Sequence, residues 1–295
     1  MANLKDIKTR INSVKTTRQV TSAMKMVSAA KFKKAHDDIA HINPFVEKLS
    51  NIIYDLVNSC TCSNSETLSP YSKKREPDHV LIVALASNRG LCGAFNSNIV
   101  KKVEELIEND YAAQHKNNSL DIITIGKQPQ KILTQHGYKI LHDHNDFYDA
   151  PSYQAAEKIA VSFMDSFAEK KYDRVIIVYN EFVNAVVQVV RAEQLLPVEM
   201  PVNPDVSHPF NYIYEPDVDT IIRTIIPKAV KILFYKMLLD SLASEHGARM
   251  TSMHKATDNA TELISDLELE YNKARQGAIT KEILEIVSGA EALKS

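Results

Sequence analysis

Three short stretches carry residue types that could do chemistry. Ser87-Asn88-Arg89-Gly90-Leu91-Cys92-Gly93 follows an apolar run and precedes an amphipathic one. That is the strand-to-helix setting in which backbone N–H groups bind phosphate. Its glycines match neither GxGxxG nor GxxxxGK followed by Ser or Thr, and no acidic residue closes a nucleotide fingerprint. A tight turn in a nucleotide-free α/β domain is the better reading. Cys92 could be a nucleophile, but no His and acid partner is identifiable, and a buried small hydrophobe is the common fate of Cys. His142-Asp143-His144-Asn145-Asp146 holds metal-ligand types, yet adjacent residues in a polar loop rarely point at one ion. Cys60-Thr61-Cys62 lacks the second pair that a zinc site needs. The expectation is therefore no catalytic residue, no cofactor site and no metal site.

The elements around these stretches change period twice. Residues 3–57 read as one helix. Leu4, Ile7, Ile11 and Val14 are spaced three, four, three, the seam of a coiled coil. The stripe then drifts to Val20, Met24 and Val27 and resumes at Ile42, Val46, Leu49, Ile53 and Leu56. Pro44 predicts a kink or a local break. Residues 58–78 are polar and carry prolines, as a linker would. Residues 79–198 alternate apolar strands with helices. The strands are His79–Ser87, Leu120–Ile125 and Arg174–Tyr179, with Phe182–Val190 as a hairpin partner. The helices are Phe95–Asn109, Lys127–His136 interrupted at Pro129, and 151–170. This alternation predicts a mostly parallel sheet covered on both faces, with an antiparallel edge. Residues 199–216 form a second Pro-rich break. From 217 to 295 a helical pattern returns, with a broad apolar face from Ile221 to Leu238 and a kink expected at Pro227. A thinner stripe follows through Met250, Met253, Ala256, Ala260, Leu263, Leu267, Ala274 and Ala278. At ~1.5 Å per residue the two terminal helices would span roughly 80 and 100 Å, too long and too one-sided to stand alone. They are expected to pair as an antiparallel coiled coil with a Rossmann-like α/β domain inserted between them.

Composition narrows the function classes. The net charge of −2 predicts no nucleic-acid partner and no direct attraction to an anionic membrane. Locally the balance differs. Lys5, Lys8, Arg10, Lys15, Arg18, Lys25, Lys31, Lys33 and Lys34 stand against one acid, Asp6, in the first 35 residues. That segment either faces an acidic partner or is a solvated basic helix face. Three cysteines give no disulfide framework and fit a reducing compartment. No run reaches the roughly 18 apolar residues of a membrane span, and the N-terminus resembles neither a signal nor a transit peptide. A chain dominated by long helices, without a convergent polar site, is mechanical or scaffolding rather than enzymatic.

Four stretches carry a family resemblance. ITKEILEIVSGA at 279–290, IKTRINSVKTTRQVTSAMKMVSAAKF at 7–32, SNRGLCGAFN at 87–96 and YEPD at 214–217 together resemble the gamma subunits of bacterial F-type ATP synthases, in the right order and over the whole chain. The resemblance implies a non-catalytic rotor that turns inside a hexamer of three alpha and three beta subunits and couples proton flow to ATP synthesis or hydrolysis. The epsilon subunit and the c ring would be its partners at the foot. It also implies peripheral placement on the cytoplasmic side of the inner membrane, reached only through the c ring and the rest of the complex. By position in the motifs, Arg275, Gln276, Thr280 and Glu282 resemble residues that contact a beta-subunit loop, with Arg249 and Met24 near the same interface. Tyr212 and Glu215 fall where the family approaches epsilon and the c ring. Gly277 departs from the family's usual small side chain and could soften the shaft. Unchanged torque and stiffness in Gly277→Ala would refute that idea. Two other readings stay open: a coiled-coil adaptor that pairs with itself, and a small enzyme using the Arg89–Cys92 loop.

Overall fold

The computed structural model describes residues 4–59, 69–148, 151–185, 187–198, 215 and 217–292. Helix α1 runs Leu4–Ser59 and α6 runs Val218–Ala292, each continuing through its proline, Pro44 and Pro227. The expected break at Pro44 is absent. The chain forms two compact units, one of Met1–Ser28 with Arg249–Ser295 and one of Ala29–Ala248. Both terminal helices therefore contribute to both units.

In the larger unit, five strands form one sheet in the order β3-β2-β1-β4-β5. The strands are β1 (Val80–Leu85), β2 (Leu120–Ile125), β3 (Ile140–Asp143), β4 (Arg174–Phe182) and β5 (Gln188–Leu196). The first four are mutually parallel and β5 pairs antiparallel with β4. Every residue of β1 is buried, as expected of a central strand covered on both faces. One face packs on α2 (Phe95–Asn109) and α4 (Lys127–Gln135), through Ile82, Ile99, Val103 and Leu133. The other packs on α5 (Tyr153–Ala168) and on the terminal helices, through Val83, Phe163, Ile39 and Phe234. Phe163 and Phe234 meet edge to face at 5.6 Å, and truncating either would cost about 3–5 kcal/mol.

Local chemistry sets the element ends. Ser152 caps α5 by accepting from Ala155 N–H at 3.2 Å. Asp217 caps α6, accepting from the Thr220 N–H at 2.8 Å and the Thr220 hydroxyl at 2.7 Å. These bonds hold its carboxyl below the usual range. Pro129 does not interrupt α4, because it lies in the first turn, where its missing N–H is not needed. Two expectations are corrected. The hairpin reverses after Phe182 rather than before it, since Phe182 still pairs with Gln188, and beyond them Asn184 Oδ1 accepts from Val187 N–H at 2.7 Å. His142 and Asp143 belong to the edge strand β3, not to a loop. That strand and the short helix α3 (Ala112–Lys116) were not anticipated.

In the smaller unit the termini pair antiparallel. Lys15 meets Glu268 at 2.8 Å and Thr21 meets Thr257 at 2.9 Å, so moving up α1 means moving down α6. Ile7, Ile11 and Leu267 form its apolar centre, flanked by Val14, Tyr271 and Ala274.

Candidate functional site

The smaller unit is built on a strict seam. On α1 the inward positions are Leu4, Ile7, Ile11, Val14, Arg18, Thr21, Lys25 and Ser28, all buried or half-buried. On α6 they are Met253, Thr257, Ala260, Ile264, Leu267, Tyr271, Ala274 and Ala278. Both series alternate three and four, the heptad of a coiled coil. The expected drift to Val20 and Val27 is wrong, since these are 52% and 58% exposed. Leu263 is likewise exposed, and Ile264 takes its place. The seam keeps its register while its composition turns polar, through Arg18, Thr21, Lys25 and Ser28. A reading by hydrophobicity follows the wrong residues there.

The seam ends at Ala278. From Ile279 to Ala290 every residue is exposed, including Ile283 (55%), Leu284 (60%) and Ile286 (71%). Arg275, Gln276, Thr280 and Glu282 all lie on this exposed segment or just before it. The Thr280 hydroxyl donates to the Gln276 carbonyl at 2.9 Å, one turn back along the helix. Gly277 is exposed, and nothing would touch a Cβ there within 4 Å. Met24 is half-buried and Arg249 is 7% exposed, so neither shares the open face of the other four. Glu215 is exposed, and Tyr212 lies outside the described residues.

The Ser87–Gly93 loop is tied to its own framework. Ser87 N–H donates to Asn96 Oδ1 at 3.1 Å. Lys127 N–H donates to Asn88 Oδ1 at 3.0 Å and Gln128 N–H to the Ser87 carbonyl at 3.1 Å. The Ser87 N–H and the first two N–H groups of α4 are thus engaged within the fold. Leu91 and Gly93 both adopt positive φ, 63° and 61°, which folds the loop back on itself. Cys92 is buried and receives Asn96 Nδ2 at 3.2 Å. That amide donor cannot serve as a base. On the sheet edge, Gln130 bonds Asp143 at 2.7 Å, and burial, with His142 nearby, lowers the pKa of His144. Among the described residues no three candidate metal ligands converge, and no helix is long and apolar enough to cross a membrane.

Residues 3–293 match the ATP synthase family. The chain is 50% identical over 293 residues to the ATP synthase gamma chain of Christiangramia forsetii, covering 99% of each. It is 48% identical over 295 residues to that of Flavobacterium psychrophilum, covering all of both. Among solved structures it is similar to a chain of the Euglena gracilis mitochondrial ATP synthase rotor. That match has a TM-score of 0.67 and 19% identity and covers 94% of this chain and 98% of that one. A similar likeness (TM-score 0.57, 24% identity) covers 80% of this chain and 99% of a chain in the Tetrahymena thermophila central stalk and c ring.

Proposed function

Because the chain belongs to the ATP synthase gamma chain family, we propose that it is the non-catalytic rotor of a proton-translocating F-type ATP synthase. The terminal helices, residues 1–57 and 217–295, turn within three alpha and three beta subunits. Residues 79–198 face the epsilon subunit and the c ring, with 58–78 and 199–216 as linkers. The protein resides on the cytoplasmic face of the bacterial inner membrane, held there by the c ring and the rest of the complex. Arg275, Gln276, Thr280 and Glu282 form a polar contact with the beta subunits. Met24 and Arg249 support that region from within the helix pair, and Tyr212 and Glu215 lie toward epsilon and the c ring.

The observation that carries this reading is the helical end past Ala278. Among the described residues nothing in its own unit covers it, and it exposes large aliphatic side chains at Ile279, Ile283, Leu284, Ile286 and Val287. An uncovered apolar segment of this kind marks a protein contact. The shaft acts by differential contact. As it turns it presents a different face to each beta subunit, and it shifts each site's affinity only by as much as its contacts differ between states. Proton flow drives the cycle toward synthesis, and ATP hydrolysis drives it backwards.

Co-expression with the host's alpha and beta subunits tests the reading. A purified complex with three alpha, three beta and one copy of this chain, and with turnover that depends on it, is the expected outcome. A chain that ignores the hexamer and pairs with itself would leave the adaptor reading in its place.

A further inference from the structure

The order of connection in the sheet reverses beside β1. The chain passes from β1 to β2 on one side and returns to β4 on the other. In open α/β sheets, ligands sit in the crevice at such a point, outside the carboxyl ends of the strands. Here that crevice is occupied by α6. Asn180, near the end of β4 and 2% exposed, donates through Nδ2 to the Phe95 carbonyl at 3.5 Å. Its own carbonyl accepts from Ser244 Oγ of α6 at 3.1 Å. One turn earlier Ser241 Oγ lies 3.4 Å from the Tyr148 hydroxyl. One turn later, a Cβ on Gly247 would lie 3.3 Å from the Ala185 carbonyl oxygen in the hairpin turn.

From Met237 to Ala248 every residue of α6 is buried except His246, which is half-buried. A helix packed on one face buries a stripe roughly 100° wide, so this stretch is enclosed rather than docked. Small side chains at Ser241, Ala243, Ser244, Gly247 and Ala248 permit the enclosure. Apolar packing alone is non-directional, whereas a hydroxyl seated on one carbonyl fixes an angle. Turning α6 by one residue, about 100°, would carry Ser244 off its acceptor and drive a side chain into the space that Gly247 leaves for Ala185.

We propose that the ligand crevice of this α/β unit is a socket that locks α6 against rotation, with Ser244 and Asn180 as its positioning residues. The proposal rests on the rotor reading and adds where torque enters the helix. Turning the sheet turns α6 with it, because the helix cannot swivel where it is held.

The test uses the assembled complex with Ala185→Cys and Gly247→Cys combined, and each single variant as control. With the disulfide formed by an added oxidant, ATP-driven proton transport per ATP hydrolysed should be unchanged, since the joined residues never part. Transport lost on oxidation and regained on reduction would mean that α6 turns in its socket, which overturns the proposal. Ser244→Ala provides a second test should the pair fail to assemble. Amides 241–248 should exchange about fivefold faster, the size expected for one lost hydrogen bond, and proton transport per ATP should fall. Ser244→Cys, which keeps the size and a donor, should restore both. An unchanged transport ratio in Ser244→Ala overturns the positioning role. A wild-type complex that hydrolyses ATP without moving protons would instead refute the rotor reading, and exchange in the isolated chain would still test the socket.

Discussion

Asp240 registers the enclosure of α6 at the level of a single carboxyl. It is 5% exposed, and its pKa is pushed up to about 7, chiefly by burial. Glu181 and Glu193 raise it further, and Lys236 opposes them. Tyr179 is raised too, first by burial and then by Glu193, Asp240 and Glu181, while Arg191 holds Glu181 at 2.9 Å. A carboxyl with a raised pKa binds its proton more tightly when folded than when unfolded. Its contribution to stability is therefore fully present below the ordinary carboxylate value and is lost as pH rises from about 4 toward about 7. Asp240→Asn should flatten that part of the profile and make the protein more resistant to urea above pH 7. Equal pH slopes for wild type and variant would show that Asp240 does not titrate in this way. Arg275 and Gln276 are the opposite case, two exposed side chains on the helix surface. Replacing both with Ala should leave the melting temperature of the isolated chain unchanged. It should weaken binding to the alpha–beta hexamer about tenfold or more, as expected for shielded charge-assisted bonds worth about 1.5–3 kcal/mol. A melting temperature that falls while affinity holds would place them in the helix pair instead.

At the scale of elements, the coiled-coil seam keeps its phase and changes its chemistry. Arg18, Thr21, Lys25 and Ser28 occupy positions where apolar residues give the tightest pairing, and polar residues there fix register at a cost in stability. Thr21→Val with Thr257→Val should therefore raise the melting temperature by a few degrees, equivalent to about 1 kcal/mol. A fall would mean that the 2.9 Å hydroxyl contact contributes more than it costs. The same seam explains what the sequence could reveal. Leu4, Ile7, Ile11 and Val14 announce the coiled coil, and counting on by four and three from Val14 reaches Arg18 and Thr21. Tracking hydrophobicity instead leads to Val20 and Val27, which face solvent. Strands such as Val80–Leu85 were legible because burial on both faces demands an unbroken apolar run. The edge strand Ile140–Asp143 was not, because its residues are half-buried or exposed and nothing selects an apolar pattern. Asn180 and Ser244 gave no signal at all. They are 64 residues apart, and only the fold brings a polar side chain of one element onto the carbonyl of another.

At the scale of the whole molecule, the near-neutral charge of −2 conceals the basic character of the N-terminal segment. Lys31 and Lys33 are exposed, while Lys25 lies half-buried in the seam, so of these three the first two face solvent. Reversing both to Glu should weaken assembly with the hexamer, more at low salt than at high. An effect independent of salt would assign the loss to packing. The filled crevice bears on regulation. An α/β unit of this topology ordinarily offers its strand ends to a nucleotide, and a cell's energy charge can then act on it directly. In this chain the berth is taken by its own helix. ADP or ATP added to the isolated protein should leave its melting temperature where it was. If the melting temperature holds, the adenylate pool would reach this chain through its neighbours rather than through its own crevice.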